Sequence, residues 1–130
     1  IIELFGWRHI DIERECEFIG KAGYLGVKFF PAQEQVMSEE PFNNVMNPWY
    51  FMYQPVSYRL QGRMGTRDDL RRAINACRKH GVRAYADAVV NHMVGSGNDG
   101  NPHHRNDAGS CVYFPEKNSS ADYPPHPGLG

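Results

Sequence analysis

Three residues that could carry chemistry lie close together near position 90 of this 130-residue chain. Asp87 lies near the carboxyl end of the apolar, β-branched segment 82–90, and Asn91 and His92 follow that segment directly. Burying a carboxylate is costly unless it is paired, so Asp87 is either a functional group or a structural one held by backbone N–H groups or an arginine. An Asn oxygen suits Ca²⁺, and a His at a loop mouth can bind a ligand or transfer a proton, although both are also ordinary loop residues.

Aromatic side chains concentrate in the segment 49–55, which reads Trp-Tyr-Phe-Met-Tyr-Gln-Pro. Flat aromatic faces can stack on the C–H face of a pyranose, and the neighbouring Gln54 amide can hydrogen-bond to hydroxyl groups. The alternative is that these rings plug the rim of the fold or contact a protein partner. The sequence supports both interpretations.

Cysteine placement leaves two interpretations open as well. Cys16 and Cys77 lie on the apolar stripes of two predicted helices, where they form either a disulfide or two buried free thiols. Cys111 has no evident partner, and Asn118 begins the only N-x-[ST] glycosylation acceptor.

The elements that must position these residues alternate between strand and helix. Apolar runs predict strands at 1–5, 27–30 and 82–90. Between the first two, Asp11 is a candidate N-cap for a helix whose apolar stripe is Ile12, Cys16 and Ile19, with Gly20 and Gly23 as stop signals.

A second helix is predicted before the third strand. Thr66 and Asp69 resemble a capping box, Leu70, Ile74 and Cys77 form its stripe, and Gly81 stands at the C′ position. The connection from 32 to 65 is too long for a bare linker, which indicates a functional loop, with 56–60 as a possible short strand.

This order predicts an α/β fold with a parallel sheet, either a doubly wound sheet or a (β/α)8 barrel. Gly and Pro make up 11 of the first 94 residues and 11 of the remaining 36, so a loop-rich region follows the sheet. Because the chain opens within a strand and closes within a loop, we expect it to be part of a larger protein.

Charge and hydropathy exclude two classes of partner. The net charge is −1, from 14 Lys and Arg against 15 Asp and Glu, whereas nucleic-acid binders normally show a basic face. No apolar stretch reaches the ~18–20 residues that a membrane span needs, so we expect neither a nucleic-acid nor a membrane partner.

The run Asp87-Ala88-Val89-Val90-Asn91-His92 resembles the first short motif of the α-amylase family of glycoside hydrolases, D-x-V-x-N-H. The chain is similar to the animal type of this family over about residues 1–115. The collinear stretches that support the resemblance are Leu4-Phe5-Gly6-Trp7-Arg8, Asp11-Ile12, Glu15-Cys16-Glu17, Pro48-Trp49, Tyr53–Tyr58 and Gly81–Met93.

The resemblance implies the barrel rather than the doubly wound sheet. Residues 1–91 would form the first three β/α units of a (β/α)8 TIM barrel, domain A. Residues 92–130 would begin the irregular domain B that is inserted after the third strand.

The resemblance also implies a function. The parent would be a secreted, monomeric, retaining and endo-acting α-1,4-glucan hydrolase that cleaves starch, glycogen and malto-oligosaccharides. Its catalytic acids would lie beyond residue 130, so we expect the isolated chain to be inactive. Two alternatives remain, a non-catalytic carbohydrate-binding barrel relative and an α-glucosidase of the same family.

Position by position, the resemblance assigns roles to the motif residues. Asn91 matches a calcium ligand, His92 a histidine that contacts the sugar beside the scissile bond, and Asp87 a supporting aspartate that is not the nucleophile. The substrate-lining positions are Trp49, Tyr50, Tyr53 and Gln54.

The resemblance further implies a disulfide between Cys16 and Cys77, and possible chloride binding by ligands outside this chain. Two positions depart from the family pattern. Tyr50 stands where Trp is usual, and Gln61 replaces a cysteine that normally pairs with the position of Cys111.

Overall fold

The computed structural model describes residues 1–37, 41 and 44–94. These residues fall into two compact units. Ile1–Ala32 and Leu60–Ala88 form the first, here called the sheet unit, whereas Gln33–Arg59 and the segment that begins at Val89 form the second, here called the loop unit. The expected domain boundary at 91/92 falls inside the loop unit, and positions 95–130, including Cys111 and Asn118, lie outside the described residues.

Three parallel strands in the order β1-β2-β3 form the sheet unit, and a helix connects each pair. The predicted parallel βαβαβ arrangement is therefore confirmed. The strands are β1 (Ile2–Glu3), β2 (Gly26–Phe29) and β3 (Arg83–Ala86), and the helices are α1 (His9–Lys21) and α2 (Arg67–Lys79).

The third strand is shorter than the predicted 82–90 and is not buried. β3 ends at Ala86, so Asp87 follows the strand instead of lying within it. All four β3 residues are exposed, and among the described residues this strand has a sheet neighbour on one side only.

Helix α1 begins earlier than the sequence predicts. Its N-cap is Arg8, which makes no side-chain cap bond, and Asp11 lies in the first turn, so the prediction of Asp11 as the cap is wrong. A tertiary contact replaces the cap, since the backbone N–H of His9 donates to the carbonyl of Met64 over 2.9 Å. The predicted stripe is confirmed, with Ile12, Cys16 and Ile19 all buried.

Gly20 lies inside α1 and is not a stop signal. A Cβ at this position would lie 2.6 Å from the backbone oxygen of His80, which is closer than real Cβ atoms approach. Glycine is therefore needed here so that α1 can pass close to the end of α2. The turn after α1 uses Gly23, whose φ is +89°.

Helix α2 confirms the sequence prediction at both ends. Thr66 is the N-cap and forms a complete capping box with Asp69, and Gly81, with φ +74°, follows the C-cap His80. The hydrogen bonds from Thr66, followed by that from Arg72, lower the pKa of Asp69 to about 2.

The core of the sheet unit lies between the helices and the sheet. A disulfide joins Cys16 and Cys77, whose Cα atoms lie 4.7 Å apart, and thereby links α1 to α2 as the family resemblance implies. The other buried core residues are Leu4, Ile12, Ile19, Val27, Phe29, Ala73 and Val82.

The loop unit is built around a short 3-10 helix, Trp49–Tyr53. Its core consists of Val36, Phe51, Val56 and Val94, with Tyr50 packed against it. The possible strand at 56–60 does not form, and the segment is held instead by an isolated antiparallel bridge between Gln35 and Pro55 and by backbone bonds to Glu34. Within the described part of the chain, neither helix is long and apolar enough to cross a membrane.

Candidate functional site

The aromatic segment divides its side chains between the core and the surface. Phe51 and Met52 are buried, whereas Trp49 remains 56% exposed. The Trp49 ring meets Tyr50 and Tyr53 edge to face, with ring centroids 5.8 and 6.2 Å apart. Part of the segment therefore packs inward and part presents an exposed aromatic surface, and its role in sugar binding stays a prediction.

His92 contacts this aromatic segment directly. Its Nε2 lies 2.8 Å from the backbone oxygen of Tyr53, and the side-chain nitrogen of Asn91 lies 3.3 Å from its Nδ1. This geometry fits the tautomer in which Nε2 donates to Tyr53 and Nδ1 accepts from Asn91. The structure therefore brings the Asn-His pair of the motif together with the predicted substrate-lining residues.

Both ring nitrogens of His92 are consequently engaged. A sugar hydroxyl that bound this imidazole would have to exchange with one of the two partners. The Asn91 contact is the longer of the two, and Asn91 is exposed, so we expect it to be exchanged first.

Gln54 offers an acceptor beside the aromatic rings. Its side-chain oxygen is buried and has no hydrogen-bond partner among the described residues. Its backbone oxygen accepts from the N–H of Val36 over 3.0 Å, which fixes the residue in place. A buried acceptor without a partner is costly, and a hydroxyl donor would satisfy it.

Sequence reasoning missed the residues that hold the loop unit together. The buried side-chain amide of Gln33 donates to the oxygen of Val89 over 2.7 Å and accepts from its N–H over 3.4 Å. Glu34 accepts from the hydroxyl of Ser57, and its backbone pairs with Val56 and Arg59. The only available signal was the polar run 33–35 just after the carboxyl end of β2.

Asp87 lies in the sheet unit and is ion-paired. Its Oδ2 is 3.3 Å from Nζ of Lys28, and the same ammonium lies 3.0 Å from Oε1 of Glu3. The predicted structural partners were backbone N–H groups or an arginine, whereas the observed partner is a lysine on the neighbouring strand.

Calcium is the metal that the family resemblance implies. Among the described residues, no group of three or more His, Cys, Asp or Glu side chains could hold a metal ion. Ca²⁺ takes about six to eight oxygen ligands, of which Asn91 would supply one. The described residues therefore do not by themselves make up a calcium site, and the role of Asn91 as a ligand stays a prediction.

Comparison with known proteins gives the relatives of this chain. No family model matches it. It is 40% identical to pancreatic α-amylase of Rattus norvegicus over 104 residues and 45% identical to α-amylase of Pecten maximus over 103. These matches cover 79% and 77% of the chain but only 20% and 19% of the relatives, so the chain spans about a fifth of their length.

Solved structures agree with the sequence relatives. Two structures of α-amylase I from Eisenia fetida, the wild type and a variant described as a maltohexaose complex, match with a TM-score of 0.68 and 38% identity. Each match covers 74% of this chain and 18% of the other. Over about three quarters of its residues, the chain is therefore homologous to the N-terminal region of α-amylases.

Proposed function

We propose that this chain is the N-terminal part of the catalytic domain of a retaining, endo-acting α-1,4-glucan hydrolase. Its sheet unit would supply the first three β/α units of a TIM barrel, and domain B would begin at residue 92. Sequence identity of 40–45% to α-amylases and the parallel βαβαβ order support this assignment. The observation that carries it is the contact of His92 with Tyr53, beside Trp49 and Gln54.

In this proposal the loop unit forms one wall of the glucan-binding cleft. Trp49 and Tyr53 would stack on pyranose faces, with Tyr50 adding ring surface behind them. The Gln54 amide would hydrogen-bond to a sugar hydroxyl once its side chain turns the buried oxygen toward the cleft, and His92 would contact the sugar next to the bond that is cleaved.

The catalytic acids would come from other parts of the parent protein. Hydrolysis with retention requires a nucleophile and an acid/base, two carboxyl groups about 5–5.5 Å apart. Asp87 would support that centre electrostatically and is not one of the two. We therefore expect the isolated 130-residue chain to cleave no starch.

Further properties of the parent belong to the same proposal. Asn91 would supply one ligand of a calcium ion whose other ligands lie elsewhere in the parent, and chloride, if bound, would also be held elsewhere. The disulfide fits an oxidising, extracellular environment, and we propose a secreted monomer.

The test uses the full-length protein that contains this chain. We expect it to release reducing ends from starch and to cut maltohexaose internally with retention of anomeric configuration. His92→Ala should lower kcat by about a hundredfold, the effect of losing one well-placed hydrogen-bonding group at a reaction centre. His80→Ala, a change at an exposed histidine at the end of α2, is the matched control and should leave kcat unchanged.

Two results would replace the proposal with one of its alternatives. Binding of maltohexaose without cleavage would identify a non-catalytic carbohydrate-binding relative. Release of glucose from chain ends alone would identify an α-glucosidase.

A further inference from the structure

One face of the sheet carries a row of charged side chains that cross all three strands. Val27 and Phe29 belong to the core beneath the helices, so Lys28, which lies between them on β2, projects from the opposite face. Glu3 is its register partner on β1 and therefore shares that face.

Asp87 reaches the same face from β3. Tyr85 is the register partner of Lys28, and Asp87 follows Tyr85 by two residues, so its side chain continues on that side. Tyr85 packs over Gly26, because a Cβ on Gly26 would lie 2.5 Å from its ring. Lys28 is thus placed between two carboxylates by the strand register, beside an aromatic ring.

Lys28 forms ion pairs with both carboxylates of this row, Glu3 and Asp87. Its ammonium lies 3.0 Å from Glu3 and 3.3 Å from Asp87, and its three N–H donors can serve both carboxylates. Asp87 is the least exposed of the three side chains, at 22%, against 33% for Lys28 and 54% for Glu3. Without the lysine, two carboxylates would share this face with no cation between them, and Asp87 would have to find other donors.

We propose that Lys28 is a positioning residue for the reaction, which holds the carboxylate of Asp87 in place and is itself held by Glu3. This inference rests on the proposed function, because Lys28 would act on the reaction only through Asp87, the aspartate proposed to support the catalytic centre. Lys28 touches no reacting atom in this proposal. It fixes the direction and the charge of a neighbouring group, and small displacements of such groups are costly in catalysis.

The test is a double-mutant cycle on the full-length protein, with kcat and KM measured on maltohexaose. Lys28→Gln should lower kcat about tenfold, with KM within about twofold, and Lys28→Arg should restore most of the rate because it keeps the cation. In an Asp87→Asn background the same Lys28→Gln change should lower kcat by less than about twofold, since its partner is already gone.

The matched control is Lys21→Gln, which removes a lysine from an exposed ion pair with Glu17 on α1 and should leave kcat unchanged. If Lys28→Gln does not fold, Glu3→Gln replaces it in the cycle, with an expected loss of about threefold that also disappears in the Asp87→Asn background.

Equal losses from Lys28→Gln with and without Asp87 would overturn the positioning role, and so would an unchanged kcat. A full-length wild type that hydrolyses no glucan would instead overturn the proposed function on which the role rests. The two failures are distinguished by the activity of the wild type.

Discussion

In the sheet unit, regular helices and parallel strands pair most of the backbone within these elements, and a disulfide ties the two helices together. In the loop unit, the described residues contain no helix longer than the five residues of the 3-10 helix. Side chains there form hydrogen bonds to backbone groups that a neighbouring strand would form in a sheet. Gln33 pairs with both backbone groups of Val89, as a neighbouring strand would. The comparison shows that regular secondary structure holds the sheet unit together, whereas side-chain contacts to the backbone hold the segments of the loop unit that lead to the candidate sugar-binding residues.

The largest expected effect tests how much the disulfide stabilises the sheet unit. The double variant Cys16→Ser/Cys77→Ser should lower the free energy of unfolding by about 4 kcal/mol, because the cross-link spans 61 residues and restricts the unfolded chain. Urea denaturation measures the loss, and reduced wild type should show the same one. Hydrogen exchange should report it in α1 and α2 first. A loss below about 1 kcal/mol would mean that the disulfide does not dominate the sheet unit.

The next effect tests the polar contacts of the loop unit. Gln33→Leu should cost about 1–3 kcal/mol, because it leaves the N–H and C=O of Val89 without partners in a buried place. Gln61→Leu makes the same change at an exposed residue and is the matched control. Urea denaturation of both variants decides the matter, and equal stability would show that Gln33 does not hold the loop unit.

A smaller effect tests regular structure without the cross-link. Thr66→Ala removes the capping box of α2 and should cost about 1 kcal/mol, whereas Thr66→Ser keeps the hydroxyl and most of the stability. The comparison is made by thermal unfolding at neutral pH. If the alanine and serine variants melt together, the cap contributes nothing to the sheet unit.

The smallest effect concerns pH. His9 is buried, its ring nitrogens have no hydrogen-bond partner among the described residues, and burial lowers its pKa below the ordinary 6.5, partly opposed by Asp69. As the pH falls, His9 therefore takes up its proton at a higher pH in the unfolded chain than in the folded one. The free energy of unfolding should accordingly fall as the pH drops below 6.5.

His9→Phe should weaken that dependence without breaking a hydrogen bond to any described residue. The measurement is the urea midpoint between about pH 7 and pH 5, where the histidine titrates. His80→Gln is the control, because it removes an exposed histidine and leaves the buried ring of His9 in place. If the urea midpoint of His9→Phe depends on pH as strongly as that of the wild type, His9 does not cause the pH dependence.

What could be predicted from sequence follows the range of the interactions. The capping box of Thr66 and the turn at Gly81 depend on neighbours within a few residues, and both were confirmed. The start of α1 was predicted wrongly because its first N–H bonds to Met64, 55 positions from His9, which no local pattern encodes. The exposure of β3 likewise depends on what pairs with its outer edge.

In the candidate site as well, local features could be predicted from the sequence, whereas contacts between distant residues could not. The clustering of Trp49, Tyr53 and Gln54 is local and visible in the sequence. The contact of His92 with Tyr53 joins residues 39 positions apart, and the amide of Gln33 reaches Val89 across 56. The ion pair between Lys28 and Asp87 depends on the register of β2 and β3. The sequence does not give that register, because it does not fix where the strands begin and end.

Gly20 has a consequence for anyone who engineers this chain. Replacing a glycine within a helix by alanine ordinarily gains about 1 kcal/mol, so a propensity table would select this position first. Here the added methyl group would meet the backbone oxygen of His80 at 2.6 Å, and backbone cannot rotate away as a side chain can. The same substitution that strengthens an isolated helix would push apart two helices that a disulfide keeps together, so the gain in one element would become a strain in the pair.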